Sequence, residues 1–496
     1  METIHSVRPL LAIAVSFFGA LLIIASHKRP NLREFWTFLI ALSKFSIVCS
    51  MVPYVLNGQN LVFNLVEVLP GVGIAFRVDP LGMLFALVAS SLWIVTSIYS
   101  IGYMRPLKEH AQTRYYSYFA IALSSAIGVA FAANLLTMYL FYEMLSLSTY
   151  SLVTHHQDPD ARFGGRKYLT YLMGTSIGLL LPAIILTYTF TGTLDFSDQG
   201  ILAGAASDAM LMVMFMLYIL GIGKAAVMPV HSWLPSAMVA PTPVSALLHA
   251  VAVVKAGVFC VVRIIFHVYG VDLMQDLDLG VLTIYFVSVT ILVGSIFALA
   301  QDNLKARLAY STVAQLSYII LGAALLSPEG MIGGVIHIVM HGFGKITLFF
   351  CAGAILVATG KKNVSEMKGL GKRMPVTMMA FFIGSLSIIG LPPLGGFISK
   401  WNLVLGSLEA GQIPILVVLL TSSLLNAAYF LPIVYQGFFA EAKPSEDPAE
   451  GERIREAPIL ALIPPVVTAF ASIVLFFYPQ PFFRLSRLAV EGLIGG

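Results

Sequence analysis

The chain has 496 residues, 58% of them hydrophobic and 11% charged, with a formal net charge of +4. Soluble chains carry roughly 25% charged residues. The composition therefore excludes a water-soluble fold and a nucleic-acid footprint, and makes the small positive balance a signal of topology in a lipid bilayer.

Apolar runs fall near 8–26, 35–56, 79–103, 115–133, 135–154, 167–190, 208–230, 243–266, 280–300, 307–327, 330–359, 376–404, 412–437 and 457–478. Each approaches the roughly 20 residues that cross a bilayer. They predict an all-α polytopic membrane protein with about 14 transmembrane helices and no room for a soluble catalytic domain. The first run lacks a small-residue cleavage site and reads as a permanent span.

Residues 1–114 hold the first three spans, with Lys44 inside the second. Two readings of Lys44 stand: an intramembrane charge, or a lysine that snorkels to an interface. The "GVG" at Gly71–Gly73 lacks the βαβ setting of a dinucleotide site. Cys49, Cys260 and Cys351 all lie in apolar runs without Cys-x-x-Cys spacing, so no iron–sulfur or haem ligand set is predicted.

Residues 115–266 hold the next five spans. Glu143, in "LLTMYLFYEMLSLSTY", is the one acid clearly in mid-span. Because an unpaired buried charge is costly, its expected neighbour is an intramembrane lysine, Lys224 first. His155 and His156 follow this span and read as solvated loop residues. In "GIGKAAVMPVHSWLP" the seventh helix carries Lys224 and then breaks at Pro229. Backbone freed at membrane depth is tolerated only where protein or a wet cavity satisfies it. The break is thus expected to open a pocket in which a lysine changes protonation state. His231 lies just beyond it, at a cavity mouth or in a loop. His249 and Lys255 lie on the eighth span.

Residues 280–437 hold five further spans. His337, His341 and Lys345 recur at i, i+4 and i+8, so they share one helical face. Three readings apply to the histidines: a proton relay, a zinc pair, or hydrogen-bonded packing. No third ligand is apparent, and a relay suits a side chain that titrates near neutrality. A second break, "GLPPLGGFISK", interrupts the twelfth span before Lys400. The two broken spans are an odd number apart and so run in opposite directions. Paired interrupted helices of this kind mark inverted repeats. Repeats at 115–266 and 280–437 follow, with helix 14 and a tail over 457–496.

Of the 29 Lys and Arg, 19 fall in loops that leave odd-numbered spans, five in the other loops and termini, and five inside spans: Lys44, Lys224, Lys255, Lys345 and Lys400. Cations favour the cytoplasmic side. Both termini are therefore expected outside the cell, with the chain in the plasma membrane. Intramembrane charges mark ion or proton pathways. The expected proton-translocation set is Glu143, Lys224, Lys255, His337, His341, Lys345 and Lys400, with His231 and His249 as accessory residues. No cofactor, metal or catalytic site is predicted.

The stretches "YEMLSLSTYSL", "GKAAVMPVHSWLPSAMVAPTPVSALLH", "QDNLKARLAYSTVAQLSYI", "HGFGKITLFFCAGAI" and "IGLPPLGGFISK" resemble the antiporter-like membrane subunits shared by Mrp-type cation/proton antiporters, respiratory complex I and membrane-bound hydrogenases. The likeness covers roughly 75–440. It implies fourteen core helices, two inverted five-helix repeats and broken helices seven and twelve. Glu143 matches the family's fifth-helix glutamate, Lys224 its seventh-helix lysine and Lys255 its eighth-helix lysine. His337 and His341 match the histidine region of helix eleven, and Lys400 the terminal position of helix twelve. That last position is glutamate in the branch resembling mitochondrial subunit four. "FISK" and the length are nearest the D-type member of the Mrp group, whereas His249 is more typical of other branches. The implied function is a proton-translocating subunit of a multisubunit monovalent cation (Na+)/proton antiporter, working with other membrane subunits. The alternative is a pumping subunit of a redox-driven hydrogenase or quinone oxidoreductase. A scaffolding subunit with relic charges is a third.

Overall fold

Helix starts in this chain are set by short polar side chains. Asp79, Asn134, Asp158 and Asn303 each accept a hydrogen bond from the backbone N–H three residues on, which satisfies one of the donors a helix leaves free at its first turn. The computed structural model describes residues 2–69, 71–441 and 454–494. Lys443 and Arg453, two of the loop cations counted above, lie outside the described residues.

In chain order, strand β1 (Glu2–His5) precedes α1 (Arg8–Ala25), α2 (Pro30–Cys49) and the short α3 (Val52–Leu56). Strands β2 (Gln59–Leu69) and β3 (Val72–Val78) lead to α4 (Pro80–Met104), α5 (Gln112–Ala130) and α6 (Leu135–Val153). Helices α7 (Pro159–Thr175) and α8 (Leu181–Thr191) join through a π-turn at Ser176–Leu180. Next come α9 (Asp208–Gly221), the single turn α10 (Trp233–Ser236), and α11 (Thr242–Ala246) with α12 (Val253–Ile264), which form one long helix with π-turns, Thr242–Tyr269. After α13 (Val271–Asp276) follow α14 (Leu279–Ala300), α15 (Leu304–Ala324), α16 (Pro328–Thr359), the turn α17 (Leu370–Arg373), α18 (Pro375–Ile389), α19 (Gly395–Glu409) and α20 (Ile413–Phe439). The last two are α21 (Ile459–Phe477) and α22 (Gln480–Ile494).

Among the described residues, nine helices are long and apolar enough to cross a membrane, and two shorter apolar helices are α9 and α18. Helix α18 stops where a break was expected, whereas α9 stops at Gly221, before Lys224, rather than beyond it at Pro229. The Thr242–Tyr269 helix is buried along its length, and α16 is largely enclosed. These two central helices carry Lys255, His337, His341 and Lys345.

The loops sort onto two faces. The turn before α15 pairs with the loop after α16, through Asn303 and Asn363 and through Ser365 N–H to Asp302. Arg455 N–H reaches the Arg373 carbonyl, and Lys305 Nζ the Ala240 carbonyl. On the other face Arg8 donates to the Ser50 carbonyl and Arg484 to the Leu56 carbonyl. The first and last described helices therefore open on one face.

Two features depart from the sequence expectations, and burial decides between the two readings of Lys44. A three-stranded sheet, order β1-β2-β3 with β1 parallel and β3 antiparallel to β2, lies among the first spans. Arg263, counted as a loop cation, lies instead in α12 at 1% exposure and forks onto Asp79, with Nη2–Oδ1 at 3.0 Å. Lys44 does not snorkel: it is fully buried, with Nζ 5.3 Å from the Trp93 ring centroid and no hydrogen-bond partner.

Candidate functional site: a buried line of lysines and histidines

The seventh-helix break is local chemistry. Helix α9 ends at Gly221, and Ala226 adopts φ +53°. The backbone groups this frees are taken up by side chains: Trp233 Nε1 donates to the Gly223 carbonyl at 2.9 Å, and Lys224 N–H donates to Tyr142 Oη at 3.2 Å. This is the satisfaction that irregular backbone at membrane depth requires. Helix α12 packs onto the break at Gly257, where a Cβ would run into the Lys224 carbonyl carbon and the Ala225 nitrogen. Lys255 lies two residues away.

Lys224 is fully buried, and its ammonium donates to the Tyr142 carbonyl at 2.9 Å and to Ser146 Oγ at 2.5 Å. Tyr142 and Ser146 lie one turn apart on α6 and flank Glu143. Glu143 is near enough for its charge to act on Lys224, but no direct ion pair forms: no Glu143–Lys224 contact falls within 4.0 Å among the described residues, and both Glu143 oxygens are buried without a hydrogen-bond partner. The reason is helical phase. The lysine meets the face of α6 that carries 142 and 146, and Glu143 sits about 100° round from it. Leu140 and Leu147, one turn to either side of Glu143, are 42% and 54% exposed, so that side of α6 faces out of the chain.

Lys255, from α12, meets His341, from α16, with Nζ–Nδ1 at 2.8 Å. One of these nitrogens donates a hydrogen bond to the other, and which one donates depends on where the proton sits. His341 Nε2 is buried without a partner. One turn back, the His337 ring centroid is 5.8 Å from that of His341, too long for a direct bond.

His337 is held at both nitrogens. Nδ1 is 2.8 Å from Ser399 Oγ, whose hydroxyl donates to the Gly396 carbonyl, and Nε2 is 3.0 Å from Gln315 Oε1. Both ring nitrogens thus face acceptors, which suits an imidazolium. Gln315 Nε2 has no partner. Half a turn of the amide would present its N–H to His337 Nε2 and suit the neutral ring. Gln315 can therefore serve either protonation state, a role that the sequence reading missed. A glutamine on a mostly apolar helix was the available signal.

Lys400 closes the line through the second break. Gly390, at φ +91°, ends α18, and the Lys400 stem crosses it. The ammonium donates to the Ile389 carbonyl at 2.9 Å and to Ser423 Oγ at 3.1 Å, and lies 5.0 Å from the Tyr318 ring centroid. A cation at the C-terminus of a half-helix is favoured by the helix dipole. The Tyr318 ring in turn lies tilted against that of His337, centroids 5.6 Å apart. Lys345 forms a side branch with Ser311 Oγ at 2.8 Å, and Tyr429 also donates to Ser311, at 2.9 Å.

The accessory residues are not joined to this line. His249 is buried against Phe349, ring centroids 4.7 Å apart, with neither nitrogen partnered. His231 is half-buried, 6.3 Å from the Tyr310 ring. His155 is not the solvated residue expected. It is fully buried, and burial pulls it down to about 4, whereas a hydrogen bond to Glu109 raises its neighbour His156.

This architecture and site define a class: multi-helix membrane proteins with buried lysines and histidines beside interrupted helices. Residues 132–426 match the family model described as "NADH:quinone oxidoreductase/Mrp antiporter, TM", and residues 71–116 match "NADH-Ubiquinone oxidoreductase (complex I), chain 5 N-terminus". The chain belongs to this antiporter-like membrane subunit family. It is 35% identical over 423 residues to NADH-quinone oxidoreductase subunit N of Desulforudis audaxviator (strain MP104C), covering 82% of each chain. It is 32% identical to a Na(+)/H(+) antiporter subunit of Alkalihalophilus pseudofirmus (strain ATCC BAA-2126 / JCM 17055 / OF4), over 83% of this chain and 53% of that one. Its fold matches a chain of the Mrp complex from Dietzia sp. DQ12-45-1b with TM-score 0.88 at 24% identity, covering 98% of both chains. It also matches a chain of the membrane-bound sulfane sulfur reductase, an archaeal respiratory membrane complex, with TM-score 0.88 at 26% identity, covering 99% of this chain and 98% of that one.

Proposed function

We propose that this chain is a proton-translocating, antiporter-like subunit of a multisubunit membrane complex. The observation that carries the reading is the Lys255–His341 contact, continued to His337 and Lys400, inside helices otherwise sealed by apolar packing. Each member exchanges a proton without moving its backbone. The orphaned polar atoms along the path, His341 Nε2 and the Glu143 oxygens, are where water is required to complete it. Lys224 and Glu143 form one end of the path and Lys400 the other.

The finer reading is an Mrp-type sodium/proton antiporter subunit in the plasma membrane, with fourteen helices, inverted repeats at 115–266 and 280–437, and both termini outside. Two breaks that each carry a lysine support the repeats, and the sorting of loops onto two faces supports the topology. A protein partner packed on α6 suits Glu143, since a carboxylate beside exposed leucines is costly in lipid. The competing reading, a pumping subunit of a redox-driven complex, is favoured by the 35% identity to an NADH-quinone oxidoreductase subunit over most of both chains.

The test is reconstitution of the complex purified through this chain. Sodium-driven proton movement without an electron donor identifies the antiporter. Proton movement only with electron donor and acceptor identifies the redox complex, and none under either condition contradicts both.

A further inference from the structure

Away from the membrane line, two turns on the face that carries the expected cytoplasmic loops bring four ligating side chains together. Glu109 and His110 come from the turn between α4 and α5, and His155 and His156 from the turn between α6 and α7. One ligand atom each from Glu109, His110 and His155 lie within 4.8 Å of one another. His156 Nε2 is 3.3 Å from Glu109 Oε2.

The second observation is His155 itself. Its side chain is 0% exposed, and neither ring nitrogen has a hydrogen-bond partner. Its Nε2 lies 3.8 Å from Glu109 Oε2, and its ring centroid is 4.8 Å from that of exposed His110. Packing alone does not explain it, since a phenyl ring would fill the space without leaving two buried nitrogens unpaired. The backbone is fixed as well: Arg114 donates to the His155 carbonyl at 2.8 Å.

We propose that Glu109, His110 and His155 form a divalent transition-metal site, with His156 beside it as a fourth ligand. Imidazoles with one carboxylate suit Zn2+, whose tetrahedral bonds of about 2.0–2.1 Å place ligand atoms about 3.3–3.5 Å apart. Closing the present cluster from 4.8 Å to that size takes a shift of about 1.3–1.5 Å, and His110, on the exposed turn, is free to supply it. The carboxylate lowers the net charge of the bound ion. Metal here would tie the turn after α4 to the turn after α6. That staples the ends of the helices that position Glu143 without touching the proton line.

The experiment uses the full chain in its purified complex, stripped with a chelator and then titrated with Zn2+ against a chromophoric chelator, with metal content counted after dialysis. The proposal expects one tightly held Zn2+ per chain. Affinity should fall about tenfold or more in His110→Ala, whose side chain is exposed and outside the core. It should fall further in His110→Ala/Glu109→Gln. Co-purification of the complex confirms that each variant has assembled. Wild-type protein that binds no more zinc than the double variant would overturn the proposal, as would tight zinc that both variants retain.

Discussion

Lys255 and His341 meet nitrogen to nitrogen at 2.8 Å, although 86 residues separate them in sequence and they lie on the two central helices. A hydrogen bond joins two titratable nitrogens there, so in the proposed path neither can be replaced by a group of fixed charge without changing what the pair does. His341→Gln keeps a polar partner for Lys255 but cannot take up the proton. We expect the assembled complex to lose most of its proton transport, and Lys255→Met to do the same. In a double-mutant cycle the losses should be strongly non-additive, because the two act on one proton. Additive losses would show that they act separately.

Gln315 gives a sharper case, since it never carries the proton. Its amide can accept from His337 or donate to it. Gln315→Leu can do neither and strands a buried ring nitrogen, at a cost of about 1–3 kcal/mol. Gln315→Glu, when ionised, accepts only. Transport rates in assembled complexes should fall in the order wild type, Gln315→Glu, Gln315→Leu. A leucine variant as fast as wild type would remove Gln315 from the path.

Gly257 joins packing to function. A methyl there would run into the backbone at Lys224 and Ala225. Overpacking of this kind costs about 1–3 kcal/mol. Gly257→Ala should lower the thermal stability of the purified complex and slow transport together, because the break and Lys255 move with the same contact. Unchanged stability would mean that the break is looser than its packing indicates.

The proposed topology is checked by labelling. Ser365 and Arg487 are both exposed, and the proposed topology puts them on opposite faces. Single cysteines at these positions should react with a membrane-impermeant reagent from opposite sides, Ser365→Cys from the cytoplasm. Labelling of both from one side would reject the topology.

Much of this was legible in the sequence for physical reasons. Pro392 and Pro393 could not continue a helix, so α18 stops where a break was expected, whereas α9 already stops at Gly221, eight residues before Pro229. The i, i+4, i+8 spacing put His337, His341 and Lys345 on one face of α16 because the helical period requires it. Partner choice was not legible. Which lysine meets which base depends on how α6, α12 and α16 are phased against one another, and a sequence carries no phase between distant helices. Glu143 was therefore assigned to Lys224 on charge alone, whereas the ammonium settles on Tyr142 and Ser146. His155 was read as solvated because its neighbours in sequence are polar, but its burial comes from the α4–α5 turn, more than forty residues earlier. The small sheet was missed because residues 59–78 lie between two expected spans, where the Gly71–Gly73 stretch was read only against a dinucleotide site.

If the buried lysines titrate during transport, Lys224 cannot be replaced by a cation that never releases its proton. Lys224→Arg is that replacement. Arginine keeps the charge and its hydrogen bonds to Tyr142 and Ser146, but a guanidinium does not deprotonate in proteins. With assembly verified by co-purification, and with proton uptake measured in proteoliposomes, transport should be as low as in Lys224→Ala. An assembled Lys224→Arg complex that retains most of the wild-type proton flux would mean that Lys224 serves only as a fixed charge and that the titrating line is wrong.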